Sequence, residues 1–143
     1  MTIEQLFSLS STMALLGLII LLASPIIPRA AQIASGVVIP GLLSILYSAL
    51  ILAFWSRAEG GFDSLAGVMQ LFTFQELALA GWIHFLAFDM FLGAWEVRTA
   101  KQEGIAFYLI IPCLALTFMF GPIGFLLFMG LRAARYGAAR TAN

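Results

Sequence analysis

Residues 75–97 read QELALAGWIHFLAFDMFLGAWEV. Crossing a bilayer takes about 20 predominantly apolar residues, and this run has that length. It nevertheless carries Asp89, Glu96 and the only histidine of the chain, His84. An ionisable group at the centre of a span costs about 2.5–3.5 kcal/mol on insertion scales, so it is seldom kept without a task. Function is expected in this run, with the rest of the chain serving as its membrane scaffold.

Outward from it, residues 6–24, 30–56 and 104–131 contain no charged side chain. The 143-residue chain is 62% hydrophobic and 10% charged, far from the composition of soluble domains. The expected fold is all-α: one domain over residues 1–143, an integral membrane four-helix bundle with spans at about 6–24, 33–56, 75–97 and 106–131. Residues 1–5 hold no Lys or Arg, so the first segment reads as a permanent span rather than a cleavable signal. With no Arg- and Ser-rich transit segment in view, a multi-pass protein of a bacterial inner membrane is expected. Four spans place Arg57, Arg132, Arg135 and Arg140 on one side and Arg29, Arg98 and Lys101 on the other. That balance leans towards both termini in the cytoplasm.

Proline and glycine punctuate the spans. Ser24-Pro25-Ile26-Ile27-Pro28 ends the first, and Ser10, Ser11 and Thr12 can bond back to their own helix or face a neighbour. Pro40-Gly41 should kink the second span, and Pro112 with Gly121-Pro122-Ile123-Gly124 the fourth. Kinked spans either enclose a cavity or serve packing alone. Ser44, Tyr47 and Ser48 form a hydroxyl stripe on the second span. Before the third span, Asp63 or Ser64 can cap a short interfacial helix whose apolar side is Leu65, Val68, Met69 and Phe72, a candidate lid.

On the third span Gln75, Trp82, Asp89 and Glu96 recur every seven residues. They stay within about 60° of each other on the helix wheel and should face the bundle interior. His84 lies about 140° from Asp89 and about 7.5 Å along the axis, on the side of Leu77, Phe88, Phe91 and Trp95, so no direct contact between them is expected in a regular helix. Each candidate also has a plainer reading. His84 can be an interior histidine satisfied by a carbonyl or hydroxyl, and Glu96 can reach the interface beside Arg98. Glu76 suits the positive end of its helix, and Trp55, Trp82 and Trp95 suit aromatic belts.

Net charge is zero and no basic patch is present, so nucleic-acid binding has no support. Cys113 is alone and reads as buried filler. One histidine cannot build a multi-histidine di-iron site or bis-histidine haem. No lysine lies within a span, which removes a retinal Schiff base. Gly-Lys phosphate loops and Gly-x-Ser-x-Gly elbows are missing. No metal and no cofactor are expected, so any reaction must run on acid–base groups.

The run Gly81-Trp82-Ile83-His84-Phe85-Leu86-Ala87-Phe88-Asp89-Met90-Phe91, followed by Phe120-Gly121-Pro122-Ile123-Gly124, resembles the ABA4-like family. The resemblance is strongest over the third and fourth spans and the loop before them; the first two spans match only in being apolar. Plant members of that family are associated with making neoxanthin from violaxanthin. The resemblance therefore implies carotenoid metabolism and a redox-neutral step: an epoxide opens, a proton leaves the neighbouring polyene carbon and an allene forms. Such a step needs an acid at the epoxide oxygen and a base at the carbon. It implies Asp89 or His84 as the acid, with the other or Glu96 as the base, and a polyene groove between kinked helices. Trp82, Tyr47, Ser44, Phe85, Gly121 and Pro122 are the expected substrate-binding residues. For a bacterial chain the substrate is expected to be another carotenoid or a related isoprenoid lipid.

Three functions follow in order of preference. The first is a carotenoid isomerase working within the lipid bilayer. The second is a non-catalytic carotenoid- or lipid-binding subunit of a membrane complex, where polar groups join helices. The third is a small proton-coupled transporter with Asp89 as carrier. A homo-oligomer with a shared cavity would suit so thin a bundle.

Overall fold

The computed structural model describes residues 1–141, which are helical with no strand among them. Helix α1 (Ile3–Leu22) starts at a capping box, in which Gln5 N–H donates to Thr2 Oγ1 and Thr2 N–H donates to Gln5 Oε1. It stops at the Ser24-Pro25 turn. The second span is continuous over Pro28–Arg57 and begins earlier than expected, because Pro28 occupies the first turn, where its missing N–H costs nothing. It comprises α2 (Pro28–Ile33), a π turn (Ala34–Val38), α3 (Ile39–Phe54) and a closing 3₁₀ turn (Trp55–Arg57). The irregularity expected at Pro40 lies just upstream, where the chain widens into the π turn rather than press the proline ring on the preceding carbonyl. Ser35, within the π turn, donates to the Gly17 carbonyl at 2.9 Å and ties this span to α1.

The short interfacial helix is α4 (Leu65–Leu71), capped by Ser64, whose hydroxyl accepts the Gly67 N–H at 3.0 Å. Helix α5 (Gln75–Gln102) follows and is the centre of the molecule, with α1, α3 and α6 packed on it. Small residues permit these approaches. A Cβ at Gly93 would come within 3.2 Å of both Leu114 and Leu21, and one at Gly36 within 3.3 Å of Ala94.

The expected fourth crossing is corrected. Residues 106–131 do not form one span: α6 (Phe107–Phe120) ends at Gly121, and α7 (Pro122–Thr141) runs back alongside it. Gly124 lies on the Thr117 backbone. Arg132 donates through Nε to Glu103 Oε2 at 2.8 Å, beside the start of α6. With 14 residues, α6 is about 21 Å long, short of the roughly 30 Å apolar core. Among the described residues, Ile3–Leu22, Pro28–Arg57 and Gln75–Gln102 are the helices long and apolar enough to cross a membrane. The kinked four-span bundle thus becomes three such helices and a helical hairpin whose tip, buried Gly121, stops midway along α5. Non-helical backbone is tolerated at such depth where protein covers it.

The hairpin also changes which residues share an end. The start of α1 lies by the start of α5, where Trp82 Nε1 donates to Ser11 Oγ at 3.0 Å. The end of α7 lies by the end of α5, where Tyr136 Oη donates to Glu103 Oε1 at 3.0 Å. The two ends of the described chain therefore sit at opposite ends of the bundle, not on one side as four spans would require. Arg132, Arg135 and Arg140 join Arg29, Arg98 and Lys101, leaving Arg57 alone at the other end.

Candidate functional site

Asp89 lies midway along α5 and is 5% exposed. Its carboxylate abuts the tip of the hairpin: a Cβ at Gly121 would come within 2.8 Å of Oδ1 and 3.7 Å of Phe85 Cε2. Oδ2 is buried without a hydrogen-bond partner. Gly121 stands at the break between α6 and α7, and the close approach of the carboxylate is what favours glycine there.

Two turns further on, Glu96 is fully buried. It accepts from Thr117 Oγ1 at 2.9 and 3.2 Å. Of the two readings of Glu96, the interior position given by the stripe agrees with the structure, and the plainer one, an approach to the interface beside Arg98, does not. Helix α5 continues well past it to Gln102, and the hairpin covers its face. Arg98 instead donates to Gln32 Oε1 at 3.1 Å. Thr117 was not singled out from the sequence, although its spacing is informative: it stands four residues before Gly121 and seven before Gly124. The Gly-Pro-x-Gly element thus has a physical reading. One glycine admits Asp89, and the other lets α7 close on Thr117, the partner of Glu96.

The polar stripe divides. Asp89 and Glu96 are interior, whereas Gln75 and Trp82 are exposed. Trp82 lies between Phe7 and Phe85, with ring centroids 5.6 and 5.8 Å away. Trp82 and Phe85 also line an apolar cavity of about 690 Å³ with Phe72, Phe118 and Met119. Phe72, just after α4, rests on Gly81, where a Cβ would come within 2.7 Å of its ring. Phe72, at the end of the segment read as a lid, thus lines this cavity, and Phe85, which lines it too, also neighbours Gly121 beside Asp89.

His84 belongs elsewhere. It is exposed, with its ring centroid 5.6 Å from Tyr47 and 4.8 Å from Phe88. His84 and Asp89 face different neighbours, as the helix wheel required. Ser44 and Ser48 spend their hydroxyl protons on the Pro40 and Ser44 carbonyls, at 2.7 and 2.8 Å. Pro122 is exposed beside the tip. The structure therefore gathers Asp89, Phe85, Trp82 and Gly121, and leaves His84, Tyr47 and Ser44 on the α3 side. Trp95 packs edge-on against Phe128 at 5.4 Å, beneath the Arg132 guanidinium. Among the described residues no three His, Cys, Asp or Glu side chains converge as a metal site.

The model of the family described as ABA DEFICIENT 4-like matches residues 5–128. The chain belongs to the ABA4-like family. The match begins in α1 and ends at Phe128 in α7, so family likeness extends through the first two spans and includes the hairpin tip. No curated protein and no solved structure matches the chain significantly. Membership suggests a carotenoid-related membrane protein.

Proposed function

We propose that the chain is a redox-neutral isomerase of a carotenoid or related isoprenoid lipid, with Asp89 as its acid–base group. The observation that carries this reading is the placement of Asp89: a buried carboxyl at the hairpin tip, one helical turn from the aromatic wall of an apolar cavity. A polyene end would lie against Trp82 and Phe85, and turning the Phe85 ring would join the cavity to the carboxyl.

A single carboxyl suffices for the chemistry. Its protonated oxygen gives a proton to the epoxide oxygen as the C–O bond breaks, and its other oxygen takes the proton leaving the adjacent polyene carbon. The proton count is restored, no electrons are gained or lost, and the product has the mass of the substrate. Exclusion of water by the hairpin protects the cationic intermediate. His84 has no part in this step, and Glu96 holds the hairpin through Thr117.

The test is incubation of the purified chain in nanodiscs with an epoxy-carotenoid, followed by chromatography and mass spectrometry. A product of unchanged mass and altered absorption is expected from the unaltered protein and from His84→Ala, and none from Asp89→Asn. Equal product from Asp89→Asn would refute the assignment.

One observation favours the second reading, a carotenoid- or lipid-binding subunit: neither candidate partner base is at hand for Asp89, since Glu96 is buried and engaged by Thr117 and His84 lies on another face. A pigment that copurifies stoichiometrically and is never converted would decide for it.

A further inference from the structure

A second cavity, of about 590 Å³, opens at the end of the bundle away from the start of α1, between the α1–α2 turn and the last turns of α5. Its walls are chemically divided. Arg29, Arg98 and Lys101 bring three cations to it, while Pro25, Val97 and Ile105 form apolar parts of its lining. No carboxylate lines it, and none of the three cations is ion-paired with a carboxylate among the described residues. Arg98 is held in place: its guanidinium donates to Gln32 Oε1 at 3.1 Å, and Gln32 Nε2 donates to the Ala94 carbonyl at 3.0 Å. The neighbouring carboxylate, Glu103, is engaged by Arg132.

We propose that this cavity binds the phosphate headgroup of an anionic membrane lipid, with the start of its acyl chains against the apolar wall. Two features select a lipid over a soluble anion. The cations share one cavity with apolar surface, which a free phosphate would not use. Six of the seven Lys and Arg residues also stand at this end, the asymmetry of a cytoplasmic face, and the cytoplasmic leaflet carries anionic lipid. Arg29, in the first turn of α2, and Arg98 and Lys101, on α5, would clamp one headgroup and staple two spans together. The site is separate from the Asp89 cavity and does not depend on its chemistry.

Native mass spectrometry of the full chain in detergent tests this, with phosphatidylglycerol and phosphatidylcholine of matched acyl chains as probes. Phosphatidylglycerol should be retained preferentially. Each single change, Arg29→Gln or Lys101→Gln, should weaken it about fivefold, the effect of one cation near an anionic surface. The triple variant with Arg98→Gln should abolish the preference, whereas the pair Arg135→Gln and Arg140→Gln, at the same end but outside the cavity, should leave it intact. Should the triple variant fail to fold, the single variants carry the comparison. Equal retention of both lipids, or undiminished binding in the single variants, overturns the proposal. Displacement of the lipid by millimolar inorganic phosphate would assign the site to a soluble anion instead.

Discussion

Gly121 lies so close to Asp89 that a Cβ at position 121 would stand 2.8 Å from the carboxylate Oδ1. The tip of the helical hairpin and the carboxyl of the central helix therefore share one space, and neither can change without the other. Gly124 has the same relation to Thr117, but there the obstacle is backbone as well as side chain.

The two glycines should differ in cost. Gly121→Ala forces a side chain aside and should destabilise by about 1–3 kcal/mol, the usual range for overpacking. Gly124→Ala meets main chain that cannot rotate away, and should cost more. Gly130, with nothing within 4 Å of an added Cβ, is the control: alanine there should be neutral or stabilising by up to about 1 kcal/mol. Thermal unfolding in detergent measures all three, and equal melting temperatures would contradict the close approach.

Thr117 should matter through its hydroxyl. Thr117→Val keeps the shape but removes the donor to buried Glu96, leaving an unsatisfied polar group at about 1–3 kcal/mol. Thr117→Ser should recover most of the loss. In the background Glu96→Leu, Thr117→Val should cost markedly less, because the bond is already gone. A double-mutant cycle in melting temperature tests the pairing.

The anchor at the foot of the hairpin should respond to acid. The Arg132 hydrogen bond, and secondarily the one from Tyr136, hold Glu103 below the usual carboxylate range. A depressed folded-state value means that the contribution is complete above the ordinary glutamate value of about 4.3 and fades as pH falls through the lowered one. Because the pair is solvent-accessible, the effect should be local, read as lower amide protection factors in α7 at acid pH, relative to the intrinsic exchange rate at each pH. Glu103→Gln should make those protection factors insensitive to pH over the same window.

Termini on opposite sides of the membrane are the expected topology. A cysteine placed by Thr2→Cys and one placed by Ala139→Cys, in a Cys113→Ser background, should react with a membrane-impermeant maleimide from opposite faces of oriented vesicles. The Ala139→Cys side should be the cytoplasmic one, since six cations lie at that end and Arg57 alone at the other. Labelling of both from one face would restore a fourth crossing.

Hydropathy made the helical class and the first three membrane segments legible, because twenty apolar residues without charge have few other stable fates. The wheel separated His84 from Asp89 for an equally local reason: two positions on one regular helix have a set angular relation. The outward extent of α5 was not legible, and the burial of Glu96 was legible only as one of two readings. Polar residues after Val97 look like the end of a span, yet the helix runs on to Gln102, and its inner face is covered by another part of the chain.

The sequence by itself determined that residues 75–97 form an apolar helix with carboxyls at Asp89 and Glu96 on one side, since composition and the 3.6-residue period are local properties. Only the tertiary structure decided what that side meets. Whether residues 106–131 cross the membrane or fold back turns on Gly121 and Gly124 finding Asp89 and Thr117. Those contacts set the position of the candidate site and the end of the molecule at which six cations gather. Hydropathy cannot register such a reversal, because a hairpin and a straight span contain the same apolar residues and differ only in their partners.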